Sequence, residues 1–578
     1  MVLHLPLSPF RRAAAEAVAA ALGVDAVGLA VSTPPDPALG DFAVGCFSAS
    51  RTLRAAPAAL ASRVAAAFSP GPLLESAAAA GPYVNFRARR AALYADLFAR
   101  TLTPGGTLVP AAPGAGQTVC IDYSSPNIAK PLSYHHIRST VIGHALANLH
   151  RALGFRVVGI NHLGDWGTTF GMILAAFARW GVPEPLTIGG MAERYVAFRK
   201  AAETDTSCGD DGRAWFKRLE DGDETARALW RRMREISLTE FDEVYARLGV
   251  VFDEVRGESA YEADMPVVLA DLERKGLTSL SDGALVVDLA DCNMPPCLLR
   301  KADGATLYAT RDLAAAVYRQ EQYGFTRSLY VTDSGQALHF AQLKVVLERA
   351  GHEWAKRITH VPFGLVRLGG KKTGARTGNV VLLLDVLGEA EAQIDATVAR
   401  TNPDLTPERR REVARDVGVG AIIFANLQSQ REKDVDFELE KVLSFDGDAG
   451  PYLQYAHARA RSVLRRSGVT DVAALASSAD AARLARDEEW QLALKLDAIG
   501  DEAARAAESC EPHIVAHYLL ELCAAYSRWY ALGSQDATLR VLCADDATRA
   551  ARLALDAAFG ATLAGGLAML GMRAPEEM

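Results

Sequence analysis

The chain has 578 residues, roughly four times the ~150 expected of one domain, so it can bury several cores without disulfide staples. Hydrophobic residues make up 50% and charged residues 23%, ordinary globular usage that excludes wholesale disorder, and no apolar run approaches the ~18 residues of a membrane span. The formal net charge of −8 excludes a uniformly basic nucleic-acid coat but leaves room for local basic surfaces. Eight cysteines at irregular positions make no disulfide framework, and Met1–Ala20 lacks the order of a secretory signal, so the expectation is a cytoplasmic protein. The sequence holds only 12 lysines, so a lysine in a motif-like setting carries more information than usual.

Residues 1–117 are expected to form one unit. Helical stretches flank the loop Ser32–Gly40, Asp41-Phe42-Ala43 follows, and Gly81–Phe86 has strand character. A run of breakers, Thr103–Thr107 and Ala111–Gly116, then marks a boundary. From Thr118 strands and helices alternate: strands at Thr118–Tyr123, Arg156–Ile160, Ser328–Thr332 and His360–Leu365, helices at His135–Leu153 and His339–Ala350. This grammar predicts a doubly wound, Rossmann-type parallel sheet over 118–448, interrupted at about 183–303 by charged helices and a small strand-rich patch. An α+β N-terminal unit and an all-α unit over 449–578 complete the expected α/β multidomain architecture, with helix throughout after Pro407.

Several apparent motifs carry no chemistry. Cys510, His513, His517 and Cys523 have spacings a zinc site could use, but also share a helix face, and no structural zinc is expected. Gly370-Lys371-Lys372-Thr373 has Leu365 where a P-loop needs its first glycine. The densest polar segment is Asp122-Tyr-Ser-Ser-Pro-Asn127-Ile-Ala-Lys130-Pro-Leu-Ser133-Tyr-His135-His136-Ile-Arg-Ser-Thr140. It follows a strand and opens a helix, where backbone N–H groups and the helix dipole favour a bound anion, here a triphosphate.

That segment resembles the first signature of the class I aminoacyl-tRNA synthetases, in its arginyl-tRNA synthetase form. Asn161-His-Leu-Gly-Asp-Trp-Gly167, Leu307-Tyr-Ala-Thr-Arg-Asp312, Lys372–Asn379 and Gly450–Ala456 are similar to further motifs of the same family, as is the close Leu570–Met578. Of the usual His-x-Gly-His only the second histidine stands here, as His136, with Ser133 and His135 at the flanking positions. Ala375 replaces the second lysine of the family's lysine loop, and Lys130 sits where arginyl enzymes lacking that lysine carry a compensating one.

The resemblance implies ATP-dependent ligation of L-arginine to tRNA(Arg) through an arginyl-adenylate, with ATP accompanied by Mg²⁺, no metal held by the chain itself, and arginine activated only when tRNA is present. Lys130, His136 and Lys372 are the catalytic candidates, and Ser133, His135, His136, Lys371 and Lys372 the ATP-binding ones. A planar guanidinium calls for matched carboxylates, for which Asp122 and Asp312 are the candidates beside Tyr308, with Asn127 and Gln336 on the α-amino and carboxylate groups. His162 and Asp165 are equally consistent with a site role and a structural turn. Residues 1–117 resemble the domain that contacts the tRNA elbow and 449–578 an anticodon-binding domain, where Tyr455, Arg459 and Arg461 are candidate tRNA contacts. The family implies a monomer with no obligate protein partner. A catalytically impaired paralogue acting as a tRNA-binding or regulatory protein is the competing reading, and the intact pocket residues argue against it.

Overall fold

A strand covered on both faces needs no polar alternation, and the run Val119-Cys120-Ile121 is buried throughout. It lies in Thr118–Asp122, the central strand of a five-stranded sheet that is parallel in every pairing. Arg156–Asn161 and then Glu254–Val255 lie on one side, Arg327–Asp333 and then Ile358–Phe363 on the other. In chain order the arrangement is 3-2-1-4-5, doubly wound, with its reversal between Thr118–Asp122 and Arg327–Asp333. The computed structural model describes residues 6–110, 112–302, 304, 307–368, 371–372 and 381–578, with 368, 371 and 372 described by backbone alone.

The expected strands and helices of this sheet are present, with two differences. Glu254–Val255 falls inside the stretch expected to be an insertion, yet it pairs with Ile160–Asn161 and closes one edge of the sheet. Val435–Phe437, in a region expected to be wholly helical, pairs in parallel with Val366–Leu368, which also pairs antiparallel with Lys371–Lys372. Strands of two or three residues are too short to display a period, and only a distant partner defines them.

The helix His136–Ala152 follows the central strand and is buried on nearly every face, because the helices Pro407–Leu427, Ile499–Ser509 and Asp546–Met569 cover what the sheet does not. Residues 188–248 supply three further helices, Ile188–Ala202, Ser207–Glu220 and Glu224–Leu248. The antiparallel patch Ser279–Ser281, Ala284–Val287, Cys297–Arg300 follows. Ahead of the main sheet, Val31–Ser32, Phe42–Gly45, Tyr83–Ala88 and Leu74–Ala80 form an antiparallel sheet in that spatial order, backed by Pro9–Leu22 and Pro57–Ala67. Asp41 ties this unit to the helical one: its carboxylate accepts from Ala88 N at 2.8 Å and from Trp490 Nε1 at 2.8 Å.

Asp556, on the helix Asp546–Met569, is fully buried; one oxygen accepts from the Tyr526 hydroxyl at 2.8 Å and the other has no partner. Burial pushes its carboxyl up from the ordinary 3.8 to about 8, against the hydrogen bond from Tyr526 and the charge of Arg461. A pKa raised on folding contributes stability that is full below about pH 4 and is lost as pH rises through about 8. Asp556→Asn, which cannot ionise, should therefore gain on the wild type as pH rises from 5.5 to 8.5, by at most about 1.4 kcal/mol per pH unit. Thermal melts of both proteins at the two pH values check this; an offset that does not change with pH would show that Asp556 does not ionise on this scale.

Candidate functional site

In a doubly wound sheet ligands bind beyond the carboxyl ends of the strands where the order reverses, here past Asp122 and Asp333. The chain leaving Asp122 holds three non-glycine residues at positive φ, Ser124 at 68°, Ser125 at 50° and Ala129 at 60°. Each costs about 1–3 kcal/mol and persists only because the surroundings hold it. Ser124 N–H donates to Ser139 Oγ at 2.9 Å, and its hydroxyl is shared with Thr140 and Tyr245 at 2.8 Å each. Ser125 N–H donates to Asn161 Oδ1 at 3.2 Å, and Ala129 N–H to Ser237 Oγ at 2.9 Å.

The turn delivers its basic groups to the start of His136–Ala152. His136 Nδ1 lies 3.2 Å from Ser133 N and 3.1 Å from the Ser133 carbonyl oxygen, so the backbone of Ser133 fixes the orientation of the ring. Burial lowers the His136 pKa, partly offset by the Ser133 backbone and reinforced by His135 and Lys130, so the ring is a neutral donor. Burial lowers His135 too. Lys130 Nζ lies 5.3 Å over the ring of Tyr195. Lys371 and Lys372 are placed as backbone in the hairpin with Arg367–Leu368; their side chains, and the loop residues 373–380 including Ala375, lie outside the described residues.

Facing this turn across the crevice is the start of the helix Tyr308–Tyr323. Tyr308 is 66% exposed, and Asp312 lies one turn further on the same face. His339 Nε2 is 2.6 Å from Asp312 Oδ2, and His162 Nε2 is 3.8 Å from Oδ1. Burial would raise the Asp312 carboxyl, but the His339 hydrogen bond and charge, with His162 and Arg319, hold it below its ordinary value. Asp122 is placed differently: Arg319 Nη2 donates to Oδ2 at 2.7 Å and Ser125 Oγ to Oδ1 at 2.7 Å, so the chain's own donors engage both oxygens. Asn127 is exposed and pairs by backbone with Gly164, where a Cβ would stand 1.9 Å from Asn127 Oδ1. Gln336 is exposed and donates to Asp333 at 3.2 Å.

Glu258 escaped the sequence reading. It follows the short strand Glu254–Val255 and accepts from Arg311 Nη1 at 3.1 Å. Burial pushes it up to about 8, opposed by Arg311 and reinforced by the negative charges of Asp312 and Asp165. Two neighbouring carboxyls, Asp312 and Glu258, offer acceptors suited to a planar guanidinium. The only sequence signal was an acid near a glycine.

Asp165 is fully enclosed, accepting from Ser259 N at 2.9 Å, Ser259 Oγ at 2.8 Å and Arg234 Nε at 3.3 Å. In the helical unit Arg459 stacks over Tyr455 at 4.9 Å and Tyr530 at 5.5 Å, while Arg461 Nε donates to Glu576 at 2.6 Å. Cys510 Sγ accepts from Arg327, His513 contacts Glu511 and His517 contacts the Gln428 carbonyl, so these side chains serve helix packing. Among the described residues no group of three or more His, Cys, Asp or Glu is arranged to hold a metal.

Comparison with known proteins agrees with this geometry. The family of class I (R) tRNA synthetase catalytic domains matches residues 101–439, the DALR anticodon-binding domain 453–578 and the arginyl-tRNA synthetase N-terminal domain 9–88. Sheet, crevice and helical domain thus define a class I aminoacyl-tRNA synthetase. The arginine–tRNA ligase of Exiguobacterium sibiricum is 44% identical over 542 residues, 93% of this chain and 94% of that one. That of Clostridium botulinum is 41% identical over 96% and 97%. The arginyl-tRNA synthetase structure from Thermus thermophilus superposes with a TM-score of 0.83 at 27% identity, covering 98% of this chain and 100% of that one. The structure from Plasmodium falciparum shares the fold, with a TM-score of 0.81 at 20% identity over the whole of both chains. The chain belongs to the arginyl-tRNA synthetase family.

The enclosure of Asp165 gives the Gly164-Asp165-Trp166-Gly167 turn a structural task. Asp165→Asn replaces an acceptor with a donor facing Arg234 and Ser259, and should cost about 1–3 kcal/mol of stability. A clear fall in melting temperature is expected; an unchanged melt with impaired turnover would return Asp165 to the catalytic candidates.

Proposed function

We propose that the crevice between the His136 turn and the Asp312 helix is where the chain carries out the ATP-dependent ligation of L-arginine to tRNA(Arg), and that the residues above divide the work as follows. An arginine carboxylate oxygen attacks the α-phosphorus of ATP, the bond to the β-phosphate breaks and diphosphate leaves. A terminal ribose hydroxyl of tRNA(Arg) then attacks the acyl carbon and AMP leaves. The chain contributes positioning and charge rather than a covalent intermediate.

Ser133, His135 and His136 receive the nucleotide at the helix start, and Lys371 and Lys372 are the further ATP-binding residues. Mg²⁺ travels with ATP on its phosphate oxygens. Asp312 and Glu258 receive the guanidinium beside Tyr308, Asn127 and Gln336 hold the amino-acid end, and Asp122 acts through Arg319. The observation that carries this division is the juxtaposition of the helix start at His136 with the carboxyls of Asp312 and Glu258 at one strand-order reversal.

Residues 1–117 serve the tRNA elbow and 449–578 the anticodon, with Tyr455, Arg459 and Arg461 facing RNA. Ser8 and Arg100 dock these units on one another at Asp497, at 2.5 and 2.9 Å, and the chain acts as a monomer with no obligate protein partner. The eight unpaired cysteines suit a reducing cytoplasm. No helix among the described residues is long and apolar enough to cross a membrane. The full-length ligase relatives leave the impaired-paralogue reading without an observation in its favour.

Two outcomes test the assignment in an arginine- and tRNA-dependent ATP–diphosphate exchange assay. Below about pH 8 Glu258 carries a proton that an arriving guanidinium must displace, so kcat/KM for arginine should climb as pH rises toward 8. Glu258→Gln should flatten the climb and cost ~2–5 kcal/mol at pH 8; a wild-type profile in that variant removes Glu258 from the pocket. Lys130→Ala should cut the exchange rate ~10²–10³-fold with arginine affinity nearly unchanged, because its charge counts most where charge develops. A wild-type rate would reduce Lys130 to a solvated lysine packed on Tyr195.

A further inference from the structure

Arg138, two residues beyond His136, is 1% exposed and donates to three backbone carbonyls: Nη1 to Lys433 at 2.6 Å and Gly364 at 3.3 Å, Nη2 to Arg431 at 3.0 Å. Gly364 N–H bonds the same Arg431 carbonyl at 2.8 Å, and a Cβ on Gly364 would stand 2.6 Å from the Lys433 carbonyl carbon. One stretch of backbone thus grips both the start of the signature helix and the exit of the strand Ile358–Phe363. It continues into Val435–Phe437, whose partner Val366–Leu368 leads through the hairpin to Lys371–Lys372.

The Arg431 side chain points the other way. Nη1 donates to the Pro362 carbonyl at 2.6 Å and Nε to the Cys510 carbonyl at 3.2 Å, while Glu511 accepts from Arg431 N–H at 3.2 Å and lies 3.5 Å from Nε. Cys510, at φ 56°, and Glu511 make the turn between the helices Ile499–Ser509 and His513–Gln535. Arg327, at the start of a sheet strand, closes the same turn by donating to the Ala507 and Glu508 carbonyls at 2.9 and 3.0 Å. A planar guanidinium can address carbonyls on two elements and a carboxylate together, which an ammonium cannot.

We propose that Arg431 is a positioning residue for ATP, locking the turn at Cys510–Glu511 of the helical domain to the backbone that sets the His136 turn against the Lys371–Lys372 hairpin. The inference rests on reading that turn and hairpin as the two sides of the nucleotide site. Seating of the helical domain then reaches the phosphates through one side chain and its backbone, with no contribution to arginine recognition.

The test measures ATP KM, arginine KM and kcat in the exchange assay, tRNA dissociation constant and melting temperature for the full chain carrying Arg431→Gln, Arg431→Lys, Glu511→Gln or His136→Ala. Arg431→Gln should raise ATP KM about tenfold, the scale for a small misplacement of reacting groups, with arginine KM and tRNA affinity within about twofold. Arg431→Lys should fail to restore it, and Glu511→Gln should shift ATP KM the same way by a smaller factor. An unchanged ATP KM, or a proportional loss of every parameter with the folded fraction, overturns the proposal. If Arg431→Gln does not fold, Arg431→Lys and Glu511→Gln decide by the same readout. A wild-type His136→Ala would sink the nucleotide-site reading itself, whereas an impaired His136→Ala beside unaffected Arg431 and Glu511 variants sinks only this inference.

Discussion

A guanidinium with 1% of its surface exposed needs partners inside the protein, and for Arg319 that partner is Asp122, at 2.7 Å the contact on which the crevice depends. Leaving either partner alone would strand a charge, at about 3–5 kcal/mol. Arg319 lies two helical turns beyond Asp312, so the pair that anchors one also sets the rotation that aims the other at the crevice. The ring of Tyr330, 5.0 Å from the guanidinium carbon, adds a second restraint from the neighbouring strand. Strand end, helix rotation and pocket floor are consequences of one ion pair.

The same logic explains why the strained backbone between Asp122 and Lys130 holds. Hydroxyls from Ser139, Thr140, Ser237 and Tyr245 and the amide of Asn161 converge on it from two helices and a strand end. A turn held by so many independent groups is preorganised, and its carbonyls and N–H groups need not reorient when charge develops on a bound phosphate.

Long helices carry the outer domains, but a few polar side chains tie those domains together. Asp41 meets Trp490, and Asp497 meets Ser8 and Arg100, with burial pushing its carboxyl up to about 6 against those partners. Basic side chains of the helical region are met by carboxylates: Arg409 by Glu577, Arg410 by Asp395 and Arg461 by Glu576. Arg459, held between two tyrosines, is the one oriented by stacking instead.

The sequence by itself determined the doubly wound sheet, the helix that starts at His136 and the residue types of the crevice, because strand burial, helical period and motif spacing are local properties legible over ten to twenty residues. Asp312 lies four residues after Tyr308, which puts both on one helix face before any tertiary contact forms. Tertiary structure alone decided which carboxyls the protein's own donors engage. Asp122 acquires Arg319 from 197 residues away, and Asp165 is enclosed by Ser259 from 94 residues away. Glu258 comes against Arg311 just after a two-residue strand that exists only once its neighbour is in place. A charge shows its type in the sequence, but its partner, burial and proton affinity belong to the closed fold, since water screens it until the chain has excluded the water.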